Sequence, residues 1–138
     1  MRGMIATNMK STETQLCPRI LLVDDSPFVR KTLCAMLRAW NIECVKVENG
    51  NSGFEQVISA RPDLVITDLY MPECDGFELL SRIAELPDDQ RPPVIVLSGS
   101  LHTHEARNRP ELDLADYLLI KPIQPHCLYD VVSHILEI

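Results

Sequence analysis

Four short apolar runs constrain this chain more than any other feature: residues 20–23 (ILLV), 64–67 (LVIT), 94–97 (VIVL) and 117–120 (YLLI). Each is too short for an ordinary helix and too continuous for a strand with one wet face. Each therefore predicts a strand covered on both sides. Strands of that kind belong to parallel sheets, whose crossover helices lie on the two faces. Residues 44–47 predict a fifth strand, in which Lys46 interrupts the apolar set as an edge strand tolerates.

Between the strands the apolar spacing changes to a helical one. Ser26 predicts an N-cap and Pro27 a first turn, where its missing N–H costs nothing. Val29, Leu33, Met36, Leu37 and Trp40 then share one face. Phe54, Val57 and Ile58 predict a second helix, stopped before Arg61-Pro62. Leu79, Leu80, Ile83 and Leu86 predict a third, stopped before Pro87. Leu128, Val131, Val132, Ile135 and Leu136 predict a last one, with Pro125 near its start. Residues 101–113 are expected to hold one more helix, although they are polar and Pro110 interrupts them. Strand and helix alternating five times predict an α/β fold with one doubly wound parallel sheet. Residues 1–17 lack any apolar period and predict a mobile extension, leaving 18–138 as one domain of ordinary size.

Composition narrows the function classes. The chain has 138 residues, 46% of them hydrophobic, and a formal net charge of −7. Such an acidic balance disfavours nucleic acid and anionic membranes as direct partners, so a protein partner is expected. No apolar run approaches the ~20 residues of a membrane span, and no secretory leader is apparent. Cys17, Cys34, Cys44, Cys74 and Cys127 are odd in number and lack a C-x-x-C pair. They predict reduced thiols, packed as small apolar residues in a cytoplasmic protein, rather than a disulfide framework or a zinc site. His102 and His104 read as a solvated pair, since no third ligand type is near.

The chemistry stands at the strand ends. Asp24 and Asp25 follow the first strand and Asp68 the third. Ser98 ends the fourth, and Lys121 follows the fifth. An open parallel sheet binds ligands outside the carboxyl ends of its strands, so these five residues are expected in one crevice. Three carboxylates brought together repel one another unless a cation sits among them. Hard oxygen donors suit Mg²⁺, or Mn²⁺. A metal, a lysine and a hydroxyl beside a carboxylate make a place for a phosphoryl group, with Asp68 as the nucleophile. Asp24-Asp25 alone reads more readily as helix capping; its agreement with the other strand ends decides for chemistry.

Five stretches carry a family resemblance: I-L-L-V-D-D-S at 20–26, D-L-V-I-T-D-L-Y-M-P at 63–72, D-G-F-E-L-L at 75–80, P-V-I-V-L-S-G at 93–99 and L-I-K-P at 119–122. In this order and spacing they resemble the receiver domains of two-component response regulators, in form the single-domain chemotaxis type, over about 18–138. The resemblance implies a flavodoxin-like sheet in the order 2-1-3-4-5. It makes Asp68 the phosphoacceptor, Asp25 and Asp68 direct metal ligands, and Asp24 an acid holding metal-bound water. The backbone carbonyl of Tyr70 is implied as a further ligand. Ser98 and Lys121 would contact the phosphoryl group, across a Lys121–Pro122 bond that is cis. Met71, Pro72, Asp75 and Gly76 match the loop over the site, and Gly99 a small residue that leaves the acceptor accessible. Met71 by itself reads as a packing residue.

The family places an aromatic three residues before the lysine, where this chain has Leu118; Tyr117 lies one residue earlier. A residue bulged before Lys121 would give Tyr117 the switch position, and a regular strand would give it to Leu118. The spacing from Ser98 favours the bulge. The implied partners are a sensor histidine kinase or histidine phosphotransfer protein and a downstream protein target. The implied role is a switch, not an enzyme, beyond assisting its own phosphorylation and hydrolysis. A metal-dependent phosphohydrolase would want a general acid and a substrate pocket, and neither is apparent. A stand-alone receiver and a piece of a longer regulator are both compatible with the sequence; Met1 and the absence of a tag lean toward the former.

Overall fold

A computed structural model describes residues 17–99 and 108–138. Five strands form one sheet: β1 (Arg19–Val23), β2 (Glu43–Val47), β3 (Leu64–Thr67), β4 (Val94–Ser98) and β5 (Tyr117–Ile120). Their order is β2-β1-β3-β4-β5, and every neighbouring pair is parallel. The helices are α1 (Pro27–Ala39), α2 (Gly50–Ala60), α3 (Gly76–Ala84) and α4 (Pro125–Leu136). The expected fold class and strand order are both present.

Alternation along the strands divides the core in two. Ile20, Leu22, Leu64, Ile66, Ile95 and Leu97 pack with Leu33 and Leu37 of α1 and with Leu128 and Val132 of α4. Their neighbours Leu21, Val23, Val65, Val94 and Val96 face the other way, against Val57 of α2 and Phe77, Leu80 and Ile83 of α3. β1, β3 and β4 are buried on both faces, apart from half-buried Arg19, which explains their continuous apolar runs.

Local chemistry sets the helix starts. Ser26 accepts from the Val29 N–H, Asn49 from that of Ser52, and Asp75 from that of Glu78. α2 ends at Arg61, in the left-handed region at φ 48°, just before Pro62.

Three expectations are corrected. β5 is an edge strand and not a buried one, since Leu118 and Ile120 are 46% and 54% exposed. Of the helix expected over 101–113, residues 101–107 lie outside the described residues, as do His102 and His104. Pro110–Leu114 forms a 3₁₀ turn, with Pro110 at its first position. Finally, Cys34 and Cys44 form a disulfide, whereas Cys17, Cys74 and Cys127 are free. The crossover from β1 through α1 to β2 lays the third turn of the helix beside the second residue of the strand, a proximity that a ten-residue spacing does not announce. The expected extension over 1–17 lies outside the described residues except for Cys17, which is exposed.

Candidate functional site

The site is built on strand ends and the turns that leave them. Asp24 follows β1 and is only 1% exposed. Its backbone N–H bonds the Val47 carbonyl at 3.1 Å, and its side chain accepts from the Ser26 N–H at 2.9 Å. Arg30, from the first turn of α1, donates to the Asp24 carbonyl at 2.6 Å. Asp25, the next residue, is exposed. Asp68 follows β3; its N–H bonds the Val23 carbonyl at 2.9 Å, so the first and third strand ends are locked together. One Asp68 oxygen accepts from the Leu69 N–H at 2.7 Å, and Thr67 donates its hydroxyl to the Asp68 carbonyl at 2.8 Å.

Lys121 closes the group. Its ammonium lies 3.0 Å from Asp24 Oδ2 and 3.3 Å from Asp68 Oδ2, although 97 and 53 residues separate them in sequence. The Lys121 N–H also bonds the Ser98 carbonyl at 3.2 Å, which ties the fourth strand end to the fifth. Ser98 is 2% exposed, and the Lys121–Pro122 peptide is cis.

Carboxylate oxygens of Asp24, Asp25 and Asp68 lie within 4.8 Å of one another. One lysine serves two of these three carboxylates, so the cluster favours a further cation among them. The donor set is all oxygen, and exposed Asp25 leaves one side open to water, so the residues fit Mg²⁺. The electrostatics agree. Burial pushes the Asp68 carboxyl above its ordinary value; Lys121 pulls it back, and Asp24 adds to the rise. Burial lowers the Lys121 ammonium, but its hydrogen bond to Asp24 and the charges of Asp68 and Asp24 outweigh that and hold it above its ordinary value. The pocket thus carries more negative charge than it can comfortably solvate.

The loop from β3 to α3 is held close. Gly76 donates its N–H to the Leu69 carbonyl at 2.7 Å, and a Cβ at Gly76 would collide with the Asp68 carbonyl and the Leu69 Cα. Met71 is 8% exposed and belongs to the core beside Phe77, in keeping with a packing residue; Pro72 is exposed. The Tyr70 ring stacks edge-on against Phe77 with centroids 5.5 Å apart. Gly99 has open space, with only the Lys121 Cβ at 4.0 Å from where its own would be.

β5 pairs with β4 residue for residue, Ile95 with Tyr117 through Ser98 with Ile120, so no residue is bulged within the strand. The expected bulge is corrected: Tyr117 joins the core on the α1 and α4 side, its ring 6.5 Å from that of His134. Leu118, opposite Val96, shares the Ser98 face. Arg30 and Thr67, which donate to the backbone carbonyls of Asp24 and Asp68, escaped the sequence reading. Arg30 is one helical turn beyond Ser26, and only that spacing could have suggested it.

Comparison with known proteins agrees with this geometry. Residues 20–133 match the family model of the response regulator receiver domain. The chain is 39% identical over 103 residues to a gliding motility regulatory protein of Myxococcus xanthus, covering 75% of this chain but 13% of that protein. It is 30% identical to the two-component response regulator ORR5 of Oryza sativa subsp. japonica, over 97% of this chain and 100% of the relative. Among solved structures, the receiver domain of a signal transduction histidine kinase from Syntrophus aciditrophicus superposes with a TM-score of 0.81 at 32% identity, covering 88% of this chain and 91% of that one. A Thermotoga maritima response regulator in complex with Mg²⁺-BeF gives 0.76 at 29%, covering 86% and 98%. With that sequence match across its sheet and all its strand ends, the chain belongs to the response regulator receiver domain family.

Proposed function

We propose that the chain is a phosphorylation-activated switch whose acceptor is Asp68. The observation that carries this is the convergence of Asp24, Asp25 and Asp68 on Lys121 at the carboxyl end of the sheet. Asp24, Asp25, Asp68 and the Tyr70 carbonyl would hold the divalent ion, Mg²⁺ or Mn²⁺. When bound, the ion supplies charge neutralisation for a phosphoryl group in transfer. The relative from Thermotoga maritima, bound to Mg²⁺-BeF, supports that expectation.

The donor is a phosphohistidine on a sensor histidine kinase or histidine phosphotransfer protein. An Asp68 oxygen attacks phosphorus, an O–P bond forms, the N–P bond breaks, and the imidazole leaves with the electron pair. Lys121 passes from pairing two carboxylates to pairing the new phosphoryl oxygens, and the Ser98 hydroxyl donates to one of them. Ser98 ends β4 and Lys121 follows β5, so their shift biases that edge between two arrangements and alters the surface a downstream protein reads. An apolar groove of about 410 Å³, lined by Phe28, Val29, Met36, Leu97, Pro122 and Ile123, opens beside Lys121 and suits a docked donor protein. A cytoplasmic location is part of this reading.

The test is intact-mass measurement after incubation with acetyl phosphate and Mg²⁺. The expected product carries one phosphoryl group per chain, is absent when chelator is added, and is absent in Asp68→Asn. An unmodified wild-type chain under these conditions would reject the reading, and steady phosphate release from many small esters would favour an enzyme instead.

A further inference from the structure

Two of the five cysteines meet. Cys34, in the third turn of α1 and 3% exposed, is bonded to half-buried Cys44 on β2, with Cα atoms 5.8 Å apart. We propose that Cys34–Cys44 is a reversible redox clamp, closed by exchange with a low-molecular-weight disulfide and opened by a low-molecular-weight thiol. The inference is independent of the phosphoryl reading, since it needs only the two sulfurs and the pieces they join.

Those pieces are the ones with most to gain from a tie. β2 is an edge strand, bonded only to β1, and none of its five residues is fully buried. α1 reaches the sheet mainly through Leu33, Cys34 and Leu37. The bond replaces a loose contact between an edge and a helix by a covalent one. Across a separation of ten residues, chain-entropy arithmetic puts its effect at about a hundredfold in the folding equilibrium constant. α1 also begins directly after Asp24, Asp25 and Ser26, and its Arg30 grips the Asp24 carbonyl. Opening the clamp therefore loosens the helix from which the carboxylate turn hangs. In a reducing compartment a bond of this kind is transient and reports redox state.

The two sulfurs differ in access, which orders the chemistry. The Cys44 thiolate attacks the small disulfide, forming a mixed disulfide and expelling one small thiol. The Cys34 thiolate then attacks the Cys44 sulfur and expels the second. Two protein thiols and one small disulfide become one protein disulfide and two small thiols, with no net gain or loss of protons or electrons. Opening runs in reverse, entering at Cys44 because Cys34 is shielded by Leu33 and Leu37.

The experiment equilibrates the whole chain in glutathione buffers of stepped thiol-to-disulfide ratio, quenches with an alkylating agent in denaturant, and counts labelled cysteines by intact mass. Five labels are expected at the reducing end; at the oxidising end Cys34 and Cys44 are expected to lose their labels together with no added glutathione mass, placed by peptide mapping, while exposed Cys17 and Cys127 carry either a label or one glutathione each. Hydrogen exchange at α1 and β2 amides should be at least about tenfold faster in the reduced chain. In Cys44→Ser, a substitution at a half-buried edge position, exchange should no longer respond to the glutathione ratio. Five labels at every ratio, exchange in α1 and β2 equal in both states, or a Cys44→Ser chain that still responds would each overturn the proposal.

Discussion

Asp68, the proposed acceptor, stands where burial disfavours a charge. Burial and the neighbouring Asp24 raise its carboxyl above the ordinary range, and Lys121 offsets only part of that. Asp68→Asn is therefore expected to keep or raise the thermal midpoint of the metal-free chain, because an amide removes a charge the pocket disfavours. The same change should abolish labelling by acetyl phosphate, read by intact mass. Lys121 answers to two carboxylates, at 3.0 and 3.3 Å, so its removal strips their only paired cation among the described residues. Lys121→Ala should still accept a phosphoryl group, since a bound divalent ion neutralises much of its charge. It should lose the change at β5, seen as β4–β5 amide shifts that no longer respond to beryllofluoride. Unaltered shifts relative to wild type would contradict the role given to Lys121.

Elements hold these residues through backbone contacts that tolerate little change. α3 starts against the Asp68 carbonyl, with room only for a glycine at 76. Gly76→Ala should cost about 1–3 kcal/mol by overpacking, measured by denaturant unfolding, and should slow Asp68 labelling because the obstructed atom belongs to the acceptor's own backbone. At the opposite edge, β5 presents Tyr117 to α1 and α4 and Leu118 to the Ser98 face. The Tyr117 ring signals should accordingly stay unchanged when beryllofluoride is added, while the Leu118 methyl signals move. Shifts of the Tyr117 ring with still Leu118 methyls would mean that the register of β5 changes on activation.

Across the whole molecule, the carboxylate cluster and the apolar groove lie side by side, joined at Lys121. A small phosphodonor needs only the cluster, whereas a phosphorylated protein needs a surface to rest on. Phe28 is 77% exposed, so Phe28→Ala should change stability by no more than about 0.5 kcal/mol. It should leave labelling by acetyl phosphate intact and slow transfer from a phosphorylated histidine phosphotransfer protein by about tenfold or more, as loss of an aromatic contact worth about 1.4 kcal/mol would do. Equal slowing with both donors would place Phe28 in the chemistry and not in docking.

By itself the sequence determined the parallel sheet and the convergence of its strand ends. Both follow from short-range facts: continuous apolar runs require cover on two faces, and a polar residue just past a buried strand must lie at its carboxyl end. Ser26 and Pro27 likewise announced the start of α1, because capping is settled within one turn. Register and the packing of edges were decided only in three dimensions. Spacing suggested a residue bulged before Lys121 that would turn Tyr117 toward Ser98, yet the ladder with β4 runs unbroken, since four backbone pairs outweigh the placement of one aromatic ring. A separation of ten in sequence between Cys34 and Cys44 carried no signal, because their meeting depends on how α1 lies across β1 and β2. Arg30 and Thr67 brace the acidic pair through carbonyl oxygens, and a carbonyl is the same at every position of a sequence until a fold aims it.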